Sequence, residues 1–125
     1  MKALIAGVGV IGQGWAIRFA LFGWDVDLYD LEPLAAERTI ALLERVRPQM
    51  AELYESLPNP GVVRQVSGLS GNYDWIQESL PEVLAIKQAF FAELSAVSAP
   101  VIAESSAKKA CLMANTSGKL SCIQS

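Results

Sequence analysis

The chain has 125 residues, of which 52% are apolar and 18% charged, with a formal net charge of −3. That balance describes one globular domain with enough apolar residues to bury a core, and it excludes a disordered chain. No cluster of Lys or Arg stands out and no apolar run approaches the length of a bilayer span, so neither nucleic acid nor membrane is expected as a partner.

Met1 and Lys2 lead straight into ALIAG, which is too short for a secretory signal, so a cytoplasmic protein is expected. In that compartment Cys111 and Cys122 are expected as free thiols. No metal site is expected. The sequence contains no histidine, which excludes His-based acid–base chemistry within these residues.

Residues 3–8, ALIAGV, form a short apolar run closed by glycine and read as a strand buried on both faces. From Gln13 to Phe22 the pattern turns helical, and Gly23 stands where a helix C-terminal glycine belongs. Asp25 to Asp30 alternates polar and apolar, a second strand. Glu32-Pro33 opens a helix running from Ala35 to about Ser56, which Pro48 should kink or split. Leu57 to Gly61 is a loop by composition. Val62 to Val66 is a third strand, Gly68 to Asn72 a turn, and Asp74 to Gln77 a fourth strand. Pro81 starts the next helix, with Val83, Leu84, Ile86, Phe90, Phe91, Leu94 and Val97 on one face. Pro100 closes the connection, and Val101-Ile102-Ala103 is a fifth strand. Strands and helices alternate throughout, which is the pattern of an α/β fold, a doubly wound parallel sheet with helical crossovers.

Gly7-Val8-Gly9-Val10-Ile11-Gly12 is G-x-G-x-x-G between a predicted strand and a predicted helix. Gly7 permits the tight turn, Gly9 lets a pyrophosphate approach the backbone, and Gly12 lets the helix lie close to the strand. Gly14 extends this small-residue surface by one step. Free N–H groups of this stretch and the positive end of the helix dipole are expected to face the phosphates. Asp30 closes the second strand about twenty residues on, where a carboxylate accepts hydrogen bonds from a ribose. A carboxylate also repels a 2′-phosphate, and Leu31 rather than an arginine follows, so NAD is expected over NADP.

Two stretches, GVGVIGQGWAIRFALFGWDVDLYD and DWIQESLPEVLAIKQAFFAEL, resemble the NAD-binding domain of the 3-hydroxyacyl-CoA dehydrogenase family. The similarity is greatest to the branch containing L-gulonate 3-dehydrogenase and carnitine dehydrogenase, and it covers about residues 3–104. The resemblance implies a Rossmann-type domain spanning 1–125, with residues 105–125 divergent. It implies that Glu82 and Lys87 line the nicotinamide side. It also implies a serine that contacts the substrate hydroxyl. Ser117, in Asn115-Thr116-Ser117, matches that serine by motif, and Ser106, beside Ser105, matches it by spacing. The segment between the third and fourth strands is shorter than the family's, so a helix is expected to be missing there.

In the family a catalytic histidine, an orienting glutamate and a helical substrate domain follow the serine. The chain therefore reads as the first part of a dehydrogenase acting on a hydroxyacid or acyl-CoA substrate, homodimeric through the substrate domain. A non-catalytic NAD-binding or regulatory module is the alternative.

Overall fold

Between Ala3 and Ala6 the first strand carries no polar side chain, and none of its four residues keeps any exposed surface. Such a strand has to be central and covered on both sides. The computed structural model places it so. It describes residues 1–69, 72–95 and 102–104. The elements are β1 (Lys2–Ala6), α1 (Val10–Leu21), β2 (Asp25–Tyr29), α2 (Ala35–Leu53), β3 (Val63–Val66), β4 (Trp75–Glu78), α3 (Leu84–Leu94) and β5 (Ile102–Glu104). The sheet is parallel throughout, in the order β3-β2-β1-β4-β5. The doubly wound α/β class expected from the sequence is the one found. Expectations for Val97, Ser105, Ser106, Cys111, Asn115, Thr116, Ser117 and Cys122 lie outside the described residues.

The alternation of strand side chains divides the core in two. On one face Ile5, Val26, Leu28 and Val63 pack against Ala16, Ile17, Ala20 and Leu21 of α1 and Leu43 of α2. On the other, Leu4, Ala6 and Ile76 meet Tyr73, Phe90 and Leu94. Phe90 and Leu94 anchor α3, each such burial contributing roughly 1.5–3 kcal/mol.

Several boundaries differ from the sequence expectation for identifiable reasons. α1 starts at Val10 rather than Gln13, because Gly12 belongs inside the helix at its closest approach to β1. Pro48 lies within α2 without dividing it. α3 begins at Leu84, three residues after Pro81, and Glu82 precedes it. Its buried residues are Lys87, Phe90 and Leu94, while Val83 and Leu84 are exposed, so a lysine occupies the inward stripe that apolar spacing assigned to them.

Between Val66 and Trp75 no helix occurs among the described residues. On that side of the sheet Asp27 of β2 is 1% exposed, and a polar network surrounds it. Its carboxylate accepts hydrogen bonds from Arg64 Nε at 2.7 Å and Tyr73 OH at 2.7 Å, and Lys2 Nζ lies 3.2 Å away. Burial alone would raise the Asp27 pKa, but the bonds from Arg64, Tyr73 and Lys2 outweigh it and hold the carboxyl below its ordinary value. Among the described residues, no helix is long and apolar enough to cross a membrane.

Candidate functional site

The loop after β1 is shaped by two glycines that the fold itself requires. Gly7 has φ +86°, and a Cβ there would lie 2.5 Å from the Ser79 carbonyl oxygen. Its N–H donates to the Tyr29 carbonyl at 2.9 Å, which ties the turn to the end of β2. A Cβ on Gly12 would overlap the Gly7 carbonyl oxygen. Both positions exclude any side chain because backbone occupies the space.

Gly9 is different. Its backbone, at φ −79° and ψ −160°, suits any L-residue, and a Cβ there would meet nothing within 4 Å. Nothing among the described residues explains why position 9 lacks a side chain, and a ligand lying against the backbone would. Gly9 is the N-cap of α1, so the first N–H groups of the helix have no side-chain cap, and the first turn carries no acid. Uncapped N–H groups at the positive end of a helix dipole suit an anion. Val10 and Ile11 are 91% and 60% exposed and leave the approach open.

Asp30 stands just beyond β2 and faces this loop. Its Oδ2 accepts from the Val8 N–H at 2.6 Å, and its Oδ1 accepts from the Glu32 N–H at 2.7 Å. A carboxylate has about four lone-pair sites, so two backbone donors leave capacity for ribose hydroxyls. The acid is thereby positioned before any ligand arrives.

A third group closes β4. Lys87 is only 4% exposed, and its Nζ lies 3.0 Å from Glu82 Oε1 and 3.4 Å from Glu78 Oε2. Glu78 is fully buried, and its Oε1 also accepts the Leu80 N–H at 2.6 Å. A lysine buried this deeply needs anionic partners, because an unpaired charge there is prohibitive. The sequence reading named Glu82 and Lys87 and missed Glu78. The signal was available: alternation along β4 sends Trp75 and Gln77 to one face and Ile76 and Glu78 to the other, toward α3.

Gly7, Asp30 and Glu78 follow or end β1, β2 and β4, which are neighbours in the sheet. They border the place where strand order reverses, the position at which open parallel sheets bind ligands. An uncapped helix start, an open glycine and a pre-held carboxylate fit a dinucleotide, and the class defined by fold and site is a Rossmann-type nucleotide-binding domain.

The comparisons make that class specific. The family model for the 3-hydroxyacyl-CoA dehydrogenase NAD-binding domain matches residues 2–121. The chain belongs to this family, and NAD is its cofactor. It is 38% identical over 100 residues to L-carnitine dehydrogenase/betainyl-CoA thioesterase of Agrobacterium fabrum, covering 77% of this chain and 21% of that protein. It is 34% identical over 105 residues to lambda-crystallin of Oryctolagus cuniculus, covering 74% of this chain and 32% of that protein. The chain thus spans between a fifth and a third of these relatives. The dehydrogenase part of multifunctional enzyme 1 from C. elegans shares the fold, with a TM-score of 0.56 and 20% identity over 86% of this chain and 26% of that one.

Proposed function

We propose that residues 1–125 form the cofactor-binding portion of an NAD-dependent dehydrogenase acting on an L-3-hydroxyacid or a 3-hydroxyacyl-CoA. Bound NAD would supply a hydride acceptor for the substrate's C3. The chain's own residues do the rest of the work on the cofactor. Gly9, Val10, Ile11 and Gly12 present the uncapped start of α1 and its dipole to the pyrophosphate, while Gly7 and Val8, whose N–H groups are taken by the Tyr29 carbonyl and the Asp30 carboxylate, shape the loop against it. Asp30 accepts the adenosine ribose hydroxyls. Glu82 and Lys87, held by Glu78, form the wall on the nicotinamide side. Ser117, or Ser106 by spacing, is proposed as the substrate-contacting serine. The relatives named for carnitine dehydrogenase support a small hydroxyacid substrate. A cytoplasmic location, a role in fatty acid metabolism and a homodimeric whole enzyme belong to the same proposal.

The observation that carries this reading is the open space at Gly9 beside a carboxylate already held by the loop. Titration of NADH into the chain, followed by nicotinamide fluorescence and by quenching of the tryptophans, tests it. Saturable binding is the expected result. Fluorescence that rises linearly with added NADH, as for cofactor free in solution, would refute the reading.

A further inference from the structure

We propose that Gln65, on the neighbouring strand β3, is a positioning residue that sets the cofactor preference of this site by holding the backbone on which Asp30 is mounted. The proposal rests on the dinucleotide reading above.

Gln65 pairs in register with Leu28 of β2, close to the carboxyl end of that strand. Its side chain reaches the turn that joins β2 to α2. Nε2 donates to the Asp30 carbonyl at 3.1 Å and to the Glu32 carbonyl at 2.7 Å. Oε1 accepts from the Ala36 N–H at 3.3 Å. One amide therefore fixes backbone at both ends of the turn. It also stands in for a missing cap, since the N-cap residue of α2, Leu34, makes no side-chain hydrogen bond to the helix.

Packing does little to hold this turn. Leu31 is 92% exposed and Leu34 52% exposed. Hydrogen bonds hold it instead: those of Gln65, the Asp30 carboxylate on the Glu32 N–H, the Glu32 carboxylate on the Leu34 N–H at 3.4 Å, and the Glu32 carbonyl accepting the Ala35 N–H at 3.2 Å. The last three lie within the turn and would travel with it, while the Val8 N–H at 2.6 Å holds the Asp30 carboxylate from the glycine loop and leaves the turn's carbonyls unheld. Of the bonds named, those of Gln65 fasten the backbone of the turn to β3. The carboxylate of Asp30 discriminates only while its oxygens stay within hydrogen-bond range of a ribose hydroxyl, and a drift of about 1 Å removes that bond. Removing the amide should therefore weaken recognition of a 2′-hydroxyl without touching the phosphate-binding glycines.

Gln65→Met keeps the side chain's length and removes all three bonds. Gln65→Glu keeps the size and the acceptor but replaces the donating NH2 group with an acceptor oxygen facing the two carbonyls. Each variant and the parent chain are titrated with NADH and with NADPH, and their amide spectra are compared. In Gln65→Met, NADH affinity should fall roughly tenfold while NADPH affinity changes less than about twofold, so that the preference shrinks. The Val8 and Glu32 amide resonances, which report the Asp30 bonds, should shift in both variants even without cofactor. An equal loss of both cofactors would mark a merely structural role and overturn the proposal. So would an unchanged preference, or unshifted Val8 and Glu32 amides in either variant. Failure of the parent chain to bind NADH overturns the dinucleotide reading and this proposal with it, and is seen before any variant is made.

Discussion

Gly7 and Gly9 stand two residues apart in one loop, and replacing them should have opposite consequences. At Gly7, with φ +86°, an added Cβ falls 2.5 Å from the Ser79 carbonyl oxygen and 2.7 Å from the Leu80 nitrogen. The left-handed conformation costs an L-residue roughly 1–2 kcal/mol. Moving strand-end backbone to relieve the contact adds about 1–3 kcal/mol. Gly7→Ala should therefore remove about 2–5 kcal/mol from a total stability of the order of 5–15 kcal/mol. That lowers the melting temperature by at least about 8 °C. At Gly9 the backbone is already extended and the space is open. Valine is a poorer helix cap than glycine by up to about 1 kcal/mol. It also stiffens the unfolded chain, which contributes about 0.4–1 kcal/mol in the other direction. The two nearly cancel, so Gly9→Val should melt within about 4 °C of the parent. Its side chain nevertheless fills the space assigned to the pyrophosphate, and NADH affinity should fall at least about a hundredfold. Thermal melts by circular dichroism and NADH titrations of the three chains check both halves. Parental NADH affinity in Gly9→Val would refute the site, and a parental melt in Gly7→Ala would refute the packing argument.

Asp30→Ala should narrow an NADH-over-NADPH preference of at least about tenfold, because a charge-assisted bond to the ribose is lost; parallel titrations that leave the preference intact would contradict the assignment. Asp27 predicts a pH dependence: a carboxyl held below its ordinary value of 3.8 stabilises the fold above that value, and the contribution is lost as pH falls through the lower folded-state pKa. The melting temperature should therefore drop on acidification below about pH 4, and Asp27→Asn should start lower at neutral pH and respond less to acid over that window; equal slopes would show that Asp27 does not carry the effect. Glu78→Gln and Lys87→Met, combined in a double-mutant cycle, should show a coupling of about 1–3 kcal/mol in urea unfolding, since the pair is buried and in contact; strict additivity would mean the contact contributes nothing.

The order of elements and the doubly wound class were legible from local patterns. The apolar run of β1, the glycines that follow it and the acid beyond β2 are short-range signals, and each strand lies within about two residues of its expected limits. The roles of Gly7 and Gly12 were readable for the same reason, because a tight turn and a close helix approach are local demands. Gly9 was named for the pyrophosphate, and only the folded chain separated it from Gly7 and Gly12, by showing that nothing among the described residues fills its space. Lys87 was named only through the family resemblance, and nothing in the local pattern marks it as buried. It is buried because β4 brings Glu78 beneath it, and pairing across elements has no one-dimensional signature. Asp27 has the same history: alternation marks it as the polar side of a strand, while Arg64, Lys2 and Tyr73 arrive from β3, β1 and the approach to β4 to bury it. Gln65 reads as a polar strand residue, and its three bonds exist only because the parallel register sets it beside the β2–α2 turn. Local sequence determined the turn chemistry and the strand–helix alternation, since these depend on backbone conformation and burial period within a few residues. Tertiary structure decided which charges are buried and which side chains hold the site, since those depend on partners far apart in the chain and adjacent only across the sheet.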